Sequence, residues 1–464
     1  LRLRGGARGA ENGRSGHSRF ARPRSPRPCL RRQGPCFGRS RQGASDRAAL
    51  YRPIAPVDRH PGSILRRLAM RIIFHIDVNS AYLSWSAIDL LQANPDSVDI
   101  RTIPAIIGGN RKTRHGIVLA KSLSAKNTYH IHTAEPVANA LKKCPTLTII
   151  PPDHDSYSRH SKQFVCFLRS LTSEIEQVSV DECYLDYTTI ASRFSSPEEG
   201  AAYIRNYIYS HFGFTVNVGI SSNKVLAKMA SDFEKPNKTH TLFPDEIQKK
   251  MWPLPISSLF MAGHASVAVL QKLDIHTIGD LARMDPAILN LHLKSHGKML
   301  WEYANGIDNS SIESEPSQAK GIGNSTTLAS DLTTAQEAYS ILLQLSTKVG
   351  HRLEKAGQSA NNLCVEIKYS TFDKYTRQMP LFSPTQDEKK LYHAACHLFD
   401  TLWNGNPIRL LGVRAGKLTD ADEPVQLDLF SYDPKAIEKE QKMERAMDKI
   451  REKFGKDLIQ KGIH

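Results

Sequence analysis

Along the chain, runs of apolar residues alternate between strand-like and helix-like spacing. Ile72-Ile73-Phe74-His75-Ile76-Asp77 is short and mostly apolar, as a buried strand requires, and Ser80 through Leu91 follows with helical spacing. A carboxylate, Asp77, therefore closes a strand expected to be buried. Glu176 to Tyr187 and Phe214 to Ile220 read as further strands, the second followed by a helix over Ser222 to Phe233. This interleaving predicts an α+β sheet domain. From Leu254 to Asn305 the spacing turns helical, punctuated by Gly263, Gly279 and Pro286. Residues 320–417 predict another unit: a helix over Ala335 to Ala356, an alternating strand from Leu363 to Tyr369, a further helix and a last strand near Leu410 to Val413. A polar linker, the pentapeptide Gln426-Leu427-Asp428-Leu429-Phe430 and a charged helix over Pro434 to Phe454 complete the pattern, which contains no internal repeat.

A chain of 464 residues exceeds what one core serves, so two to four domains are expected. No run of about 18 apolar residues occurs, which argues against a membrane span. The seven cysteines (Cys29, Cys36, Cys144, Cys166, Cys183, Cys364, Cys396) show no C-x-x-C spacing, and a reducing, cytoplasmic setting fits them.

The net charge of +15 suggests nucleic acid until it is divided along the chain. Residues 1–70 hold 17 Arg, no Lys and three acids, leaving the body at +1. DNA contact in the body must then come from local patches, and residues 320–417, with twelve bases against eight acids, are the better candidate. Residues 1–69, with seven Pro and nine Gly, are expected to be a disordered Arg-rich extension, with Met70 as the natural start. An organelle transit peptide and a phosphate-gripping arm are the alternatives for this segment.

The strongest local chemical signal is Ser179-Val180-Asp181-Glu182-Cys183-Tyr184-Leu185-Asp186. Adjacent acids in a regular strand point to opposite faces, so both serve one site only near a bend, and alone the segment reads as a solvated turn. Asp77 changes that balance, because a buried acid is costly unless a metal or base compensates it. Three such carboxylates suit two Mg2+ ions, one activating a hydroxyl and one neutralising a triphosphate.

Three blocks, in order, resemble the signatures of the Y-family translesion DNA polymerases: His75 to Tyr82, the Ser179 to Asp186 segment, and Val218 to Lys228 continuing through Lys235-Pro236-Asn237. The likeness runs from Met70 onward and is closest to the bacterial DNA polymerase IV branch. It implies an α+β multidomain right hand. The palm would comprise 70–90 and 146–240, the fingers 91–145, a helical thumb with a helix-hairpin-helix 241–315, and a little finger 319–417. Residues 418–464 would supply the linker, a clamp-binding peptide and a helix.

The resemblance makes Asp77, Asp181 and Glu182 the catalytic and metal-binding set for two Mg2+ ions, with the carbonyl of Val78 as a further ligand. Tyr82 becomes the steric gate against ribonucleotides, although by itself it reads as a core aromatic on a helix. Lys235 and Lys126 become nucleotide-binding; by itself Lys235 reads as a solvated lysine at a helix end. Gln426, Leu429 and Phe430 would dock on a sliding clamp, the alternative being a piece packed on its own protein. The expected partners are primer-template DNA, deoxynucleoside triphosphates and the clamp, with no membrane, for a monomer. Some residues depart from the family pattern. Asn79 stands where many relatives have an acid, Leu123 near a frequent phosphate-contacting Tyr, and Lys238 where Gly often follows Pro-Asn. The stretch from Lys126 to Ile131 is one residue longer than usual. Two rival functions are a nucleotide cyclase, which needs neither thumb nor clamp peptide, and an inert DNA-binding protein, which needs no carboxylate set.

Overall fold

The structure is a computed structural model and describes residues 71–109, 116–315 and 318–422. The expected extension over 1–69, the clamp peptide with Gln426, Leu429 and Phe430, and the helix over Pro434 to Phe454 lie outside the described residues. The chain runs β1 (Ile73–Val78), α1 (Ala81–Ala93), β2 (Ala105–Gly108), β3 (Val118–Lys121), α2 (Leu123–Asn127), α3 (Val137–Lys143) and β4 (Thr148–Ile150). It continues through α4 (His154–Leu171), β5 (Ile175–Gln177), β6 (Glu182–Asp186), α5 (Pro197–Phe212), β7 (Val216–Ser221), α6 (Lys224–Ser231) and β8 (Thr239–Thr241). Helices α7 (His264–Lys272), α8 (Ile278–Arg283) and α9 (Pro286–Ala304) follow. The last unit is β9 (Gly321–Leu332), α10 (Ala335–Ala356), β10 (Gln358–Tyr369), β11 (Lys374–Thr385), α11 (Glu388–Leu402) and β12 (Ile408–Asp420).

Four larger apolar cores and one small cluster hold the described elements. The largest surrounds a five-stranded sheet of order β5-β6-β1-β7-β8, in which β1 lies between antiparallel β6 and β7. Every residue of β1 and of β7 is buried, because both faces of the sheet are covered. On one face Phe74, Ile76 and Val78 meet Trp85, Tyr157, Phe164 and Ile204; on the other Ile73 packs with Tyr184 and Ala227 of α6. Gly219 permits the close approach of α6, since a Cβ there would overlap the Ala227 carbonyl oxygen.

A small core around Ile106, Val118, Val137 and Leu147 backs the three-stranded sheet β3-β2-β4. An all-helical core gathers Leu226, Ile256, Leu270, Ile278, Leu289 and Leu300. The fourth core lies between the antiparallel sheet β11-β10-β12-β9 and the helices α10 and α11.

The expected helix over Ala335 to Ala356 is present with those bounds. The continuous strand expected over Glu176 to Tyr187 is broken: β5 ends at Gln177, β6 begins at Glu182, and Val178 and Ser179 N–H groups both turn back to the Glu182 carbonyl. The strand read from Leu363 is longer, starting at Gln358. Strands β9 and β11 had no apolar signature, because much of each is exposed. The pattern also missed the kink in α9, where Lys294 takes φ 54. No helix among the described residues is long and apolar enough to cross a membrane.

Candidate active site

Because β1 alternates its faces, Ile73, His75 and Asp77 look toward α6. In the β1–β6 register Asp77 lies opposite Glu182, so their carboxylates issue from the same face of neighbouring strands. Asp181 precedes them at the bend: its carbonyl accepts from the Val78 N–H at 3.0 Å, and its carboxylate takes the Ser179 hydroxyl at 2.6 Å. That bend interrupts the alternation by which a straight strand would send adjacent acids to opposite faces.

Two lysines occupy the carboxylates. Lys228 of α6 sets its ammonium 2.7 Å from Glu182 Oε1 and 3.3 Å from Asp232. Lys235, past the helix, bonds Asp77 and lies 2.8 Å from Asp232. Burial raises the Asp77 pKa, and the Lys235 and Lys228 charges only partly oppose it. Burial also works against both ammoniums, but the surrounding carboxylates outweigh it and hold each lysine above its ordinary value. Beneath them, burial and then the Lys228 and Lys235 charges push His75 well below the usual imidazole range; its Nδ1 meets the Ser231 hydroxyl at 2.8 Å.

Tyr82 is the second residue of α1, half-buried and packed against the largest core. Its ring stacks on Tyr157, with centroids 4.4 Å apart and planes 9° apart, and meets His154 edge-on. Tyr157 is held by Ser86 at 2.9 Å. Burial, and next the Asp181 charge, raise the Tyr82 pKa. The corner joining β1 to α1 turns at Ser80, whose φ is 47, and is tied by Ser84 Oγ donating to the Asn79 carbonyl at 2.7 Å. Lys126 is exposed on α2, where burial and then the Lys126 charge lower the Lys121 pKa.

Among the described residues no three His, Cys, Asp or Glu side chains are grouped so as to hold a metal ion. The donors nevertheless suit a hard divalent cation: they are carboxylate oxygens, and cationic ammoniums already stand against two of them. Asp77 and Glu182 on neighbouring strands, Asp181 beside them and the Val78 carbonyl are the oxygens a cation would have to draw together, with the Asp181 carboxylate released from Ser179. Sequence reading missed the part played by Lys228 and Asp232. Their signal was the four-residue spacing of Lys224, Lys228 and Asp232, which puts them on one side of a helix.

Residues 76–232 match the model of the impB/mucB/samB family, and residues 319–429 match that of the impB/mucB/samB family C-terminal domain. The chain is 42% identical over 393 residues to a DNA polymerase IV of Clostridium acetobutylicum, across 85% of this chain and 98% of that protein. It is 35% identical to DNA polymerase IV 1 of Bacillus subtilis, across 84% of this chain and 92% of that protein. A solved Y-family DNA polymerase chimera superposes with a TM-score of 0.66 over 75% of this chain and 99% of its own, at 20% identity, a likeness of fold. With both family models matched in order and its relatives covered almost end to end, the chain belongs to the impB/mucB/samB family, the Y-family DNA polymerases, in the DNA polymerase IV branch.

Proposed function

We propose that this chain is an error-prone, template-directed DNA polymerase that adds deoxynucleotides to a primer 3'-hydroxyl, with release of pyrophosphate, at the Asp77–Glu182 site. The single observation that carries the assignment is the pairing of Asp77 with Glu182 across two strands, each carboxylate held by a lysine ammonium. Asp77, Asp181, Glu182 and the Val78 carbonyl would hold two Mg2+ ions. Bound there, the ions would supply activation of the primer hydroxyl and neutralisation of triphosphate charge. Lys235 exchanges Asp77 for a phosphate oxygen of the incoming nucleotide, and Lys126 reaches the same nucleotide from the three-stranded unit. The Tyr82 ring, backed by Tyr157, leaves no room for a ribose 2'-hydroxyl.

The four cores support a palm on the five-stranded sheet, fingers on β2–β4, a thumb on α7–α9 and a little finger on β9–β12. The N-terminus of α7, capped by Gly263 in the helix-hairpin-helix, offers backbone N–H groups to a DNA phosphate. Gln426, Leu429 and Phe430 tether the enzyme to a sliding clamp.

Primer extension in Mg2+ tests the central claim. Asp77→Asn and Glu182→Gln should each lower kcat by roughly a hundred- to a thousandfold or more; extension at the unaltered rate would overturn the assignment. Tyr82→Ala should admit ribonucleotides while deoxynucleotide extension persists, and unchanged sugar discrimination would remove Tyr82 from its role.

A further inference from the structure

The turn that carries Lys235 is fastened to the sheet by buried amides. Asn79 follows β1, and Asn217 lies in β7 opposite Asp77; both are buried. Asn79 Nδ2 donates to Asn217 Oδ1 at 3.2 Å, and Asn79 Oδ1 accepts from the Asn237 N–H at 2.8 Å and the Thr215 hydroxyl at 3.0 Å. Asn217 Oδ1 also takes the Lys238 N–H at 3.1 Å, while its Nδ2 donates to the carbonyls of Ser231 at 3.0 Å and Glu234 at 2.6 Å. These contacts fix the direction of both amides: turning either over would set donor against donor or oxygen against oxygen.

From the other side Arg205 of α5 grips the same turn. Its Nε donates to Asn237 Oδ1 at 3.0 Å, its Nη2 to the Asn237 carbonyl at 2.5 Å and its Nη1 to Thr239 Oγ1 at 3.2 Å. Asn237, at φ 57, is therefore held through its N–H, its carbonyl and its side chain, two residues from Lys235. A lysine stem is flexible, so where its ammonium can stand depends on where its backbone is anchored.

We propose that Asn79, Asn217 and Arg205 are positioning residues for the incoming nucleotide: by holding Asn237 they set Lys235 over Asp77, where the triphosphate binds. The inference rests on the nucleotide-binding reading of Lys235 given above. It also gives a chemical reason for the amide at position 79. An acid there would turn an oxygen, with its charge, onto Asn217 Oδ1.

Single-nucleotide extension on a matched template, with primer-template affinity measured by fluorescence anisotropy, tests this on the full chain. Arg205→Ala, outside the buried network, should raise the KM for the nucleotide roughly ten- to a hundredfold with DNA affinity unchanged. Asn79→Asp, matched in shape but reversed in polarity, should do the same, and Arg205→Lys should fall between Arg205→Ala and the unaltered chain. In a Lys235→Ala background Arg205→Ala should add nothing further, because it acts through that ammonium. An equal rise in both backgrounds, or none in either, overturns the proposal. If Lys235→Ala raises KM and Arg205→Ala does not, only the positioning role fails; if Lys235→Ala is itself silent, the reading of Lys235 fails and the proposal with it.

Discussion

The two large sheets of this molecule solve opposite problems. The five-stranded sheet is covered on both faces, so β1 and β7 are buried at every position and read as apolar runs. The four-stranded sheet is covered on one face only. Leu363, Val365, Ile367 and Tyr369 are buried beneath α10 and α11, while Cys364, Glu366 and Lys368 between them remain partly exposed. A sheet buried on both sides can hold charges at a defined depth, as it does with Asp77. A sheet open on one side offers a broad polar surface: Arg414 is exposed opposite Cys364, and Lys368 and Arg409 both lie over the Phe372 ring.

An alanine scan would break or sharpen that contrast. In β1 the cost should show no period of two. Phe74→Ala, which removes a fully buried ring stacked 4.5 Å from Tyr187, should destabilise by about 3–5 kcal/mol in chemical denaturation, and its neighbour Ile73→Ala by about 2–5 kcal/mol. In β10 the cost should alternate: about 2–5 kcal/mol for Ile367→Ala, against at most about 1 kcal/mol for Glu366→Ala, whose ion pair with Lys374 lies at the surface. Equal costs at 366 and 367 would mean that the open face is covered.

The smallest effect belongs at the rim of the buried sheet, where Arg101 hydrogen-bonds Asp99 and reaches the Gly213 carbonyl at 2.8 Å. The Arg101 hydrogen bond holds the Asp99 carboxyl below its usual value despite burial. The pairing therefore stabilises the fold above the ordinary carboxylate pKa and is lost as pH falls through the lowered one. Asp99→Asn should cost under about 1 kcal/mol at neutral pH, and melting curves of the two proteins should converge on acidification.

The same contrast explains what could be read from the chain alone. β1, β7 and α10 carry their burial in their letters, whereas β9 and β11 pair along edges with few apolar side chains and are formed by their neighbours rather than by their own pattern. At the site, Asp77 was legible as an acid closing an apolar run, and the adjacent acids Asp181 and Glu182 as a motif. The bend that carries them depends on backbone bonds between Val178, Ser179 and Glu182, which no periodicity encodes. The lysine counter-ions and the Asn79–Asn217 pair arise from contacts more than forty residues apart in the chain, and composition is blind to them.

The corner at Ser80 has a corollary for sugar choice. Only two residues separate the end of β1 from the start of α1, so on the proposed assignment the acid that holds metal and the ring that inspects the sugar are mounted on one bracket. Inserting a single residue between Val78 and Ala81 would lengthen that corner and loosen the tie between ring and acid. On that assignment a change of sugar choice that leaves the acid in place is made at residue 82 or at Tyr157 behind it.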